Sequence, residues 1–311
     1  VVKGTPFKRD ILAELTAACR KHGLKVGFYY SHWLDWEHPG GAKPPWPELK
    51  EDPVYPQPTQ EEFEGYWTSK CLPQVKELLE NFSPDFMWFD SWGNATNTFL
   101  SKDRLGRLIS LIRETKPDCL INSRIGTKDG IDYLSMGDNF FPTKGFGQPW
   151  ETSGTLNHSW GYHRLDFKWK PTPQLLRYLV DNTSRGGNYQ LNVGPTDEGI
   201  FQPAAVRRLR EIGAWMKVHG EAIHGTRPAK WPEPKWGRLT SKDADKRLNA
   251  FVYDPKPGAA LTLEGPDSPP KRAFLIETHE SIAVTSTDGG FSFTLPANLP
   301  DANMAVIAFE W

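Results

Sequence analysis

The chain has little cysteine. Its three, Cys19, Cys71 and Cys119, are widely spaced and include no Cys-x-x-Cys pair. That excludes a disulfide framework or a thiolate zinc site as the organising feature, and each thiol sits in or beside an apolar run, as a small core residue does. An excess of either charge is also lacking. Thirty-seven basic residues face 38 acidic ones, for a formal charge of -1, so no general attraction to nucleic acid or to an anionic membrane surface is expected. No apolar run of about 18 residues appears, which argues against a membrane-spanning helix. The first residues lack the charged, apolar and small-residue order of a secretory signal, although a signal already removed leaves no trace.

Tryptophan, in contrast, is plentiful. Several of the 13 lie in Gly/Pro-rich stretches, among them Trp33, Trp36, Trp46, Trp92 and Trp150, where no core periodicity requires them. Apolar ring faces in loops suit stacking on the C–H faces of sugars. With the balanced charge, this points to a neutral small molecule or glycan as substrate. At 311 residues there is room for one large α/β domain with a small companion.

The first two-thirds repeat one grammar of amphipathic helix, Gly or Pro turn, and short apolar strand with a polar end. Ile11, Leu12, Leu15 and Cys19 form one helical face before a strand over 25–31. Val75, Leu78, Leu79 and Phe82 precede a strand over 86–90. Leu105, Leu108, Ile109 and Ile112 precede one over 119–124, and Leu175, Leu176, Leu179 and Val180 precede one over 189–194. A fifth is expected near 139–142. Such alternation predicts a parallel sheet whose polar strand ends form the functional face. A complete (β/α)₈ barrel needs about eight strands, so the expected fold class is α/β with about half a TIM barrel. A helix over 204–218 and a Pro/Trp-rich linker over 227–236 follow. Short strands over 248–253, 260–263, 272–276, 282–286, 290–295 and 304–311 then predict a C-terminal β-sandwich. The expected domains are a barrel-type catalytic domain, 1–226, and a β-sandwich, 237–311.

Within this frame, Ser83-Pro84-Asp85-Phe86-Met87-Trp88-Phe89-Asp90-Ser91-Trp92 stands out. It delivers a carboxylate among indole rings at the C-terminal end of a buried strand, where such folds collect catalytic groups. The competing reading of Asp90 is a cap on the next helix. Glycoside hydrolysis needs a second carboxyl group, and the region after the Arg124 strand offers Asp129, Asp132, Asp138 and Glu151. Asp138 precedes Asn139-Phe140-Phe141, whose rings would favour a protonated acid by desolvation; Glu151, beside Trp150, is its rival. Arg124 can pair with Asp90 or with sugar hydroxyls, or form a structural ion pair. His32 and His38 flank Trp33 on what reads as a substrate rim and lack metal-site spacing. Ser184-Arg185-Gly186-Gly187-Asn188 precedes its strand and reads as a helix C-terminal turn, not a phosphate cradle.

Several separated blocks resemble glycoside hydrolase family 29, the retaining α-L-fucosidases: Gly23-Leu24-Lys25-Val26-Gly27-Phe28-Tyr29-Tyr30-Ser31, Trp88-Phe89-Asp90, Asn122-Ser123-Arg124, Trp150-Glu151-Thr152 and Leu191-Asn192-Val193-Gly194-Pro195. The resemblance covers roughly residues 5–230. It implies Asp90 as nucleophile, Asp138 as the favoured acid/base with Glu151 as the alternative, and sugar contacts from Tyr29 or Tyr30, Trp88 and Arg124, to which the reading of the rim adds Trp33. It implies no metal, no organic cofactor and a fucosylated glycan as partner. The family's first barrel strands and paired-histidine segment have no counterpart here. A truncated barrel is therefore expected, completed by self-association or by another chain, because open sheet edges are unfavourable. The alternatives are a carbohydrate-binding protein without catalysis and a glycosidase for another sugar. The compartment stays open: low cysteine use suits cytoplasm and periplasm alike, and a glycan substrate favours periplasm or export.

Overall fold

In the computed structural model, which describes residues 4, 6–43, 56–91, 98–266 and 268–311, the chain divides into two units, Val1–Ser135 and Met136–Trp311. In the first unit, the Asp10 carboxylate accepts the Ala13 N–H at 3.0 Å and so starts α1 (Ile11–Lys21). The chain then enters β1 (Gly27–Tyr30). A capping box of Thr59 and Glu62 opens α2 (Gln60–Tyr66), which continues through a π-turn, Trp67–Cys71, into α3 (Leu72–Phe82). Ser83, left-handed at φ 44°, breaks that rod and sends the chain into β2 (Phe86–Phe89). Ser101 caps α4 (Lys102–Thr115), and β3 (Leu120–Ile121), a 3-10 turn Ser123–Ile125 and β4 (Leu134–Ser135) follow.

Strands β1, β2 and β3 form a parallel sheet with β2 in the centre. Met87 and Phe89 of β2 enter one core with Val75 and Leu79 of α3 and Leu105, Leu108 and Ile112 of α4. The two-residue strand period turns Trp88 to the other face. A Cβ on Gly27 would lie 2.2 Å from the Phe86 ring, so a side chain there would force that ring to move. The expected core face of α1 is not buried: Ile11 and Leu15 are 43% and 58% exposed. The helix is held instead through buried Thr16 and through Arg20, which donates to the carbonyls of Phe82 and Ser83.

In the second unit β5 (Trp150–Thr155) and β6 (Gly187–Asn192) pair in parallel, joined through α5 (Thr172–Ser184). The expected strand near 139–142 does not form. Asn139 is left-handed at φ 51° and Pro142 has no N–H to give a ladder; Asn139 instead accepts the Thr155 N–H on its side chain at 3.0 Å. After α6 (Pro203–His219) the chain runs through β7 (Arg227–Pro228), β8 (Gly237–Lys242), β9 (Arg247–Tyr253), β10 (Ala260–Glu264), β11 (Arg272–Leu275), β12 (Val284–Thr287), β13 (Gly290–Thr294) and β14 (Met304–Glu310). These make two antiparallel sheets, ordered β11-β14-β9-β8-β7 and β10-β13-β12.

Alternation along β14 shows how the layers share it. Ala305, Ile307 and Phe309 join Phe291 and Phe293 of the smaller sheet, while Met304, Val306 and Ala308 meet Leu176, Val180 and Trp215 of α5 and α6. The strand is apolar on both faces because both faces are covered. Among the described residues no helix is long and apolar enough to cross a membrane.

Candidate active site at the end of the central strand

Asp90 follows β2 directly, and the elements on either side of that strand supply its partners. From β1, Tyr29 donates its hydroxyl to Asp90 Oδ2 at 3.0 Å; from the turn after β3, Arg124 Nη1 donates to Asp90 Oδ1 at 3.0 Å. Trp33, just past β1, donates its indole N–H to the Asp90 backbone carbonyl at 3.0 Å. The Asp90 and Arg124 side chains are each 13% exposed, so the pair is largely withdrawn from solvent, where charge-assisted bonds are strong. Ser101, not Asp90, caps α4.

The aromatic surface is ordered around this carboxylate. Tyr29 stacks on Trp88 with ring centroids 5.5 Å apart and planes 22° apart, and the Arg124 guanidinium lies 5.0 Å from the centre of the Trp88 ring. Tyr29 as a whole is 59% exposed, yet its hydroxyl end is drawn against Asp90. That desolvation, reinforced by the charge of Asp90, raises the phenol above its ordinary value and keeps it a donor. The remaining open ring face is surface on which an apolar ligand face can rest.

Other expected residues lie elsewhere. Tyr30, one residue along and on the opposite face of β1, donates to Gln74 Oε1 at 2.7 Å and is not brought to Asp90. Trp33 is a buried anchor that places its N–H on the site. His32 is not on a rim: it is fully buried, with Nε2 2.9 Å from the Ile125 carbonyl. His38 accepts the Gly40 N–H within its own turn. Trp46 and Trp92 lie outside the described residues.

The two acid/base candidates belong to the second unit. Asp138 is exposed, and the expected aromatic enclosure does not form: Phe141 stacks on Tyr178 at 3.8 Å and Phe140 is exposed. Glu151 was expected on a loop but lies within β5, opposite Asn188 of β6. Its neighbours by strand alternation are Ser153 and Thr155, facing Gln190 and Asn192. Glu151 therefore heads a polar strip of two parallel strands, and Ser153 donates to Gln190 across it at 2.5 Å. Among the described residues no group of three or more His, Cys, Asp or Glu could hold a metal ion.

Asp90 is thus a paired carboxylate beside indole and phenol faces at a parallel strand's end, and comparison with known proteins gives the class. The family model described as Alpha-L-fucosidase matches residues 1–221, and the chain belongs to that family, glycoside hydrolase family 29. It is 27% identical to the human tissue alpha-L-fucosidase over 315 aligned residues, which cover 97% of this chain and 64% of that protein. Among solved structures, alpha-L-fucosidase isoenzyme 1 from Paenibacillus thiaminolyticus superposes with a TM-score of 0.84 at 31% identity, covering 99% of this chain and 77% of that one. An alpha-L-fucosidase from Bacteroides thetaiotaomicron, trapped as a covalent intermediate with 2-fluoro-fucosyl fluoride, superposes with a TM-score of 0.82 at 25% identity, covering 99% of this chain and 72% of that one.

Proposed function

We propose that this chain is a retaining exo-α-L-fucosidase acting on terminal α-L-fucosyl groups of glycans through a covalent fucosyl-enzyme. The observation that carries the reading is Asp90 held on both oxygens by Arg124 and Tyr29 beside the Trp88 ring, in a chain of this family. In the first step Asp90 attacks the anomeric carbon while a carboxylic acid protonates the departing oxygen. In the second that group takes a proton from water, which displaces Asp90. Asp138 is our first assignment for the acid/base and Glu151 the alternative; the resemblance of their sequence blocks supports both. Substrate contacts are assigned to Tyr29, Trp88 and Arg124, with Trp33 and Tyr30 behind them. We take residues 1–226 as a partial-barrel catalytic domain and 237–311 as a β-sandwich. The change at Arg227 from helix–strand alternation to antiparallel strands supports that division.

The test is release of 4-nitrophenol from its α-L-fucoside, with the first-formed sugar followed by proton NMR. The expected result is turnover with α-L-fucose appearing first. Initial β-L-fucose would overturn retention, and a folded protein that binds L-fucose without turnover would favour a binding module.

Arg124→Lys should lower kcat/KM for the same substrate by about 10- to 100-fold, the loss expected for a charge-assisted hydrogen bond whose guanidinium plane is not replaced. An unchanged kcat/KM would remove Arg124 from the site. Self-association belongs to the same proposal and is supported by the exposed apolar face of α1, with Ile11, Leu12 and Leu15. A monodisperse monomer with full activity in light scattering would contradict it.

A further inference from the structure

The end of β2 is held in an unusual way. Pairing with β3 stops at Met87 opposite Ile121, two residues short of Phe89. Phe89 is fully buried, where unmet backbone groups would be costly. The side chain of Asn122 meets both. Its Oδ1 accepts the Phe89 N–H at 2.9 Å and its Nδ2 donates to the Phe89 carbonyl at 3.0 Å. Asn122 is itself fully buried, so the amide stands in for a strand partner.

Two consequences converge on Asp90. The Phe89 carbonyl belongs to the peptide that joins Phe89 to Asp90, and the next carbonyl, that of Asp90, receives the Trp33 indole N–H. The peptide planes on both sides of the Asp90 Cα are thereby fixed. Asn122 also immediately precedes the Ser123–Ile125 turn that carries Arg124. One side chain links the strand that presents the carboxylate to the turn that presents the guanidinium.

We propose that Asn122 is a positioning residue that sets the Asp90 carboxylate against Arg124 and against the reacting carbon. The proposal rests on the assignment of Asp90 as nucleophile. The test is a cycle of Asn122→Asp, an isosteric change that sets an oxygen against the Phe89 carbonyl, and of Asn122→Ser, each made with Asp90 present and in Asp90→Gly supplied with azide. With Asp90 present, kcat/KM for an aryl α-L-fucoside should fall by about 100-fold, the cost of a misplacement near 1 Å. With azide as nucleophile the carboxylate no longer has to be placed, and the further loss should stay within about two-fold. Equal losses in the two backgrounds would overturn the proposal, because a role in folding or substrate binding acts in both.

A second cycle, read by thermal unfolding, needs no turnover. The Tm shift caused by Arg124→Met should be at least halved when Asn122→Ser is already present, and additive shifts would overturn the proposal. A silent wild type with coupled shifts would sink the fucosidase reading alone.

Discussion

Asp90→Gly should lower kcat/KM for 4-nitrophenyl α-L-fucoside by a factor on the order of 10⁴ or more, the scale seen when an enzymatic nucleophile is deleted. Azide should restore turnover. The substitution removes the carboxylate to which the Arg124 guanidinium and Tyr29 hydroxyl donate at 3.0 Å each in the native site. A small anion fits the charge and the vacated space. Azide would attack from the side on which Asp90 stood, opposite the departing group, so the product is the β-L-fucosyl azide and not its α anomer. Near-UV circular dichroism should match the wild type, since the hydrogen bonds from Asn122 and Trp33 reach the backbone and do not need the carboxylate. A loss under ten-fold, or a deep loss without rescue in a folded variant, would remove Asp90 from the nucleophile's role.

Much of the first unit was legible because its strands are apolar and each is preceded by an amphipathic helix. The Phe86-Met87-Trp88-Phe89 run could be read as a buried strand, and its polar successor as the functional residue, from period and chemistry alone. Tyr29 and Tyr30 could not be separated by type; the period-2 pleat separates them, with one on Asp90 and the other on Gln74. Besides the two-residue strands β4 and β7, two longer strands escaped notice for a shared reason. In β5, Trp-Glu-Thr-Ser-Gly-Thr, one face is a polar strip, and in β8 the buried residues include Thr240 and Ser241. Neither shows the apolar alternation by which a strand announces itself. Their polar groups are met by particular partners, such as the Ala222 carbonyl that accepts from Thr240 at 2.8 Å, and no single segment reveals such a partner. Loop tryptophans misled in the opposite direction. Trp33 and Trp150 looked free to stack on a ligand, yet both are buried, each spending its N–H on a backbone carbonyl.

Acid should destabilise the fold through His32, over a pH window set by its burial. His32 is fully enclosed, with Phe89 5.2 Å and Trp67 6.1 Å from its ring, and this burial lowers its pKa from 6.5 to about 4. A carbonyl only accepts, so Nε2 must carry the proton donated to Ile125; Nδ1 is buried and meets no hydrogen-bond partner among the described residues. Protonation would place a charge and an unmet N–H there. The unfolded chain takes up a proton below pH 6.5 while the folded chain resists until about pH 4, so stability falls as pH drops through that interval. The full loss is about 3 kcal/mol. Carboxylates held below their ordinary value lose their contribution lower down: Asp85, held by the Val26 amide and by Lys25, from 3.8, and Glu62 and Glu64 from 4.5, at the lower edge of the His32 window. Urea unfolding at pH 7 and pH 4.5 should therefore differ by about 2–3 kcal/mol in the wild type, and by clearly less in His32→Gln, which carries no titrating group. The same pH dependence in both proteins would assign the acid sensitivity to other groups. Ile125 directly follows Arg124, so the charge and the unmet Nδ1–H that acid places on His32 arise beside the turn presenting Arg124 to Asp90, and loosening there should lower activity in the wild type before the chain unfolds as a whole.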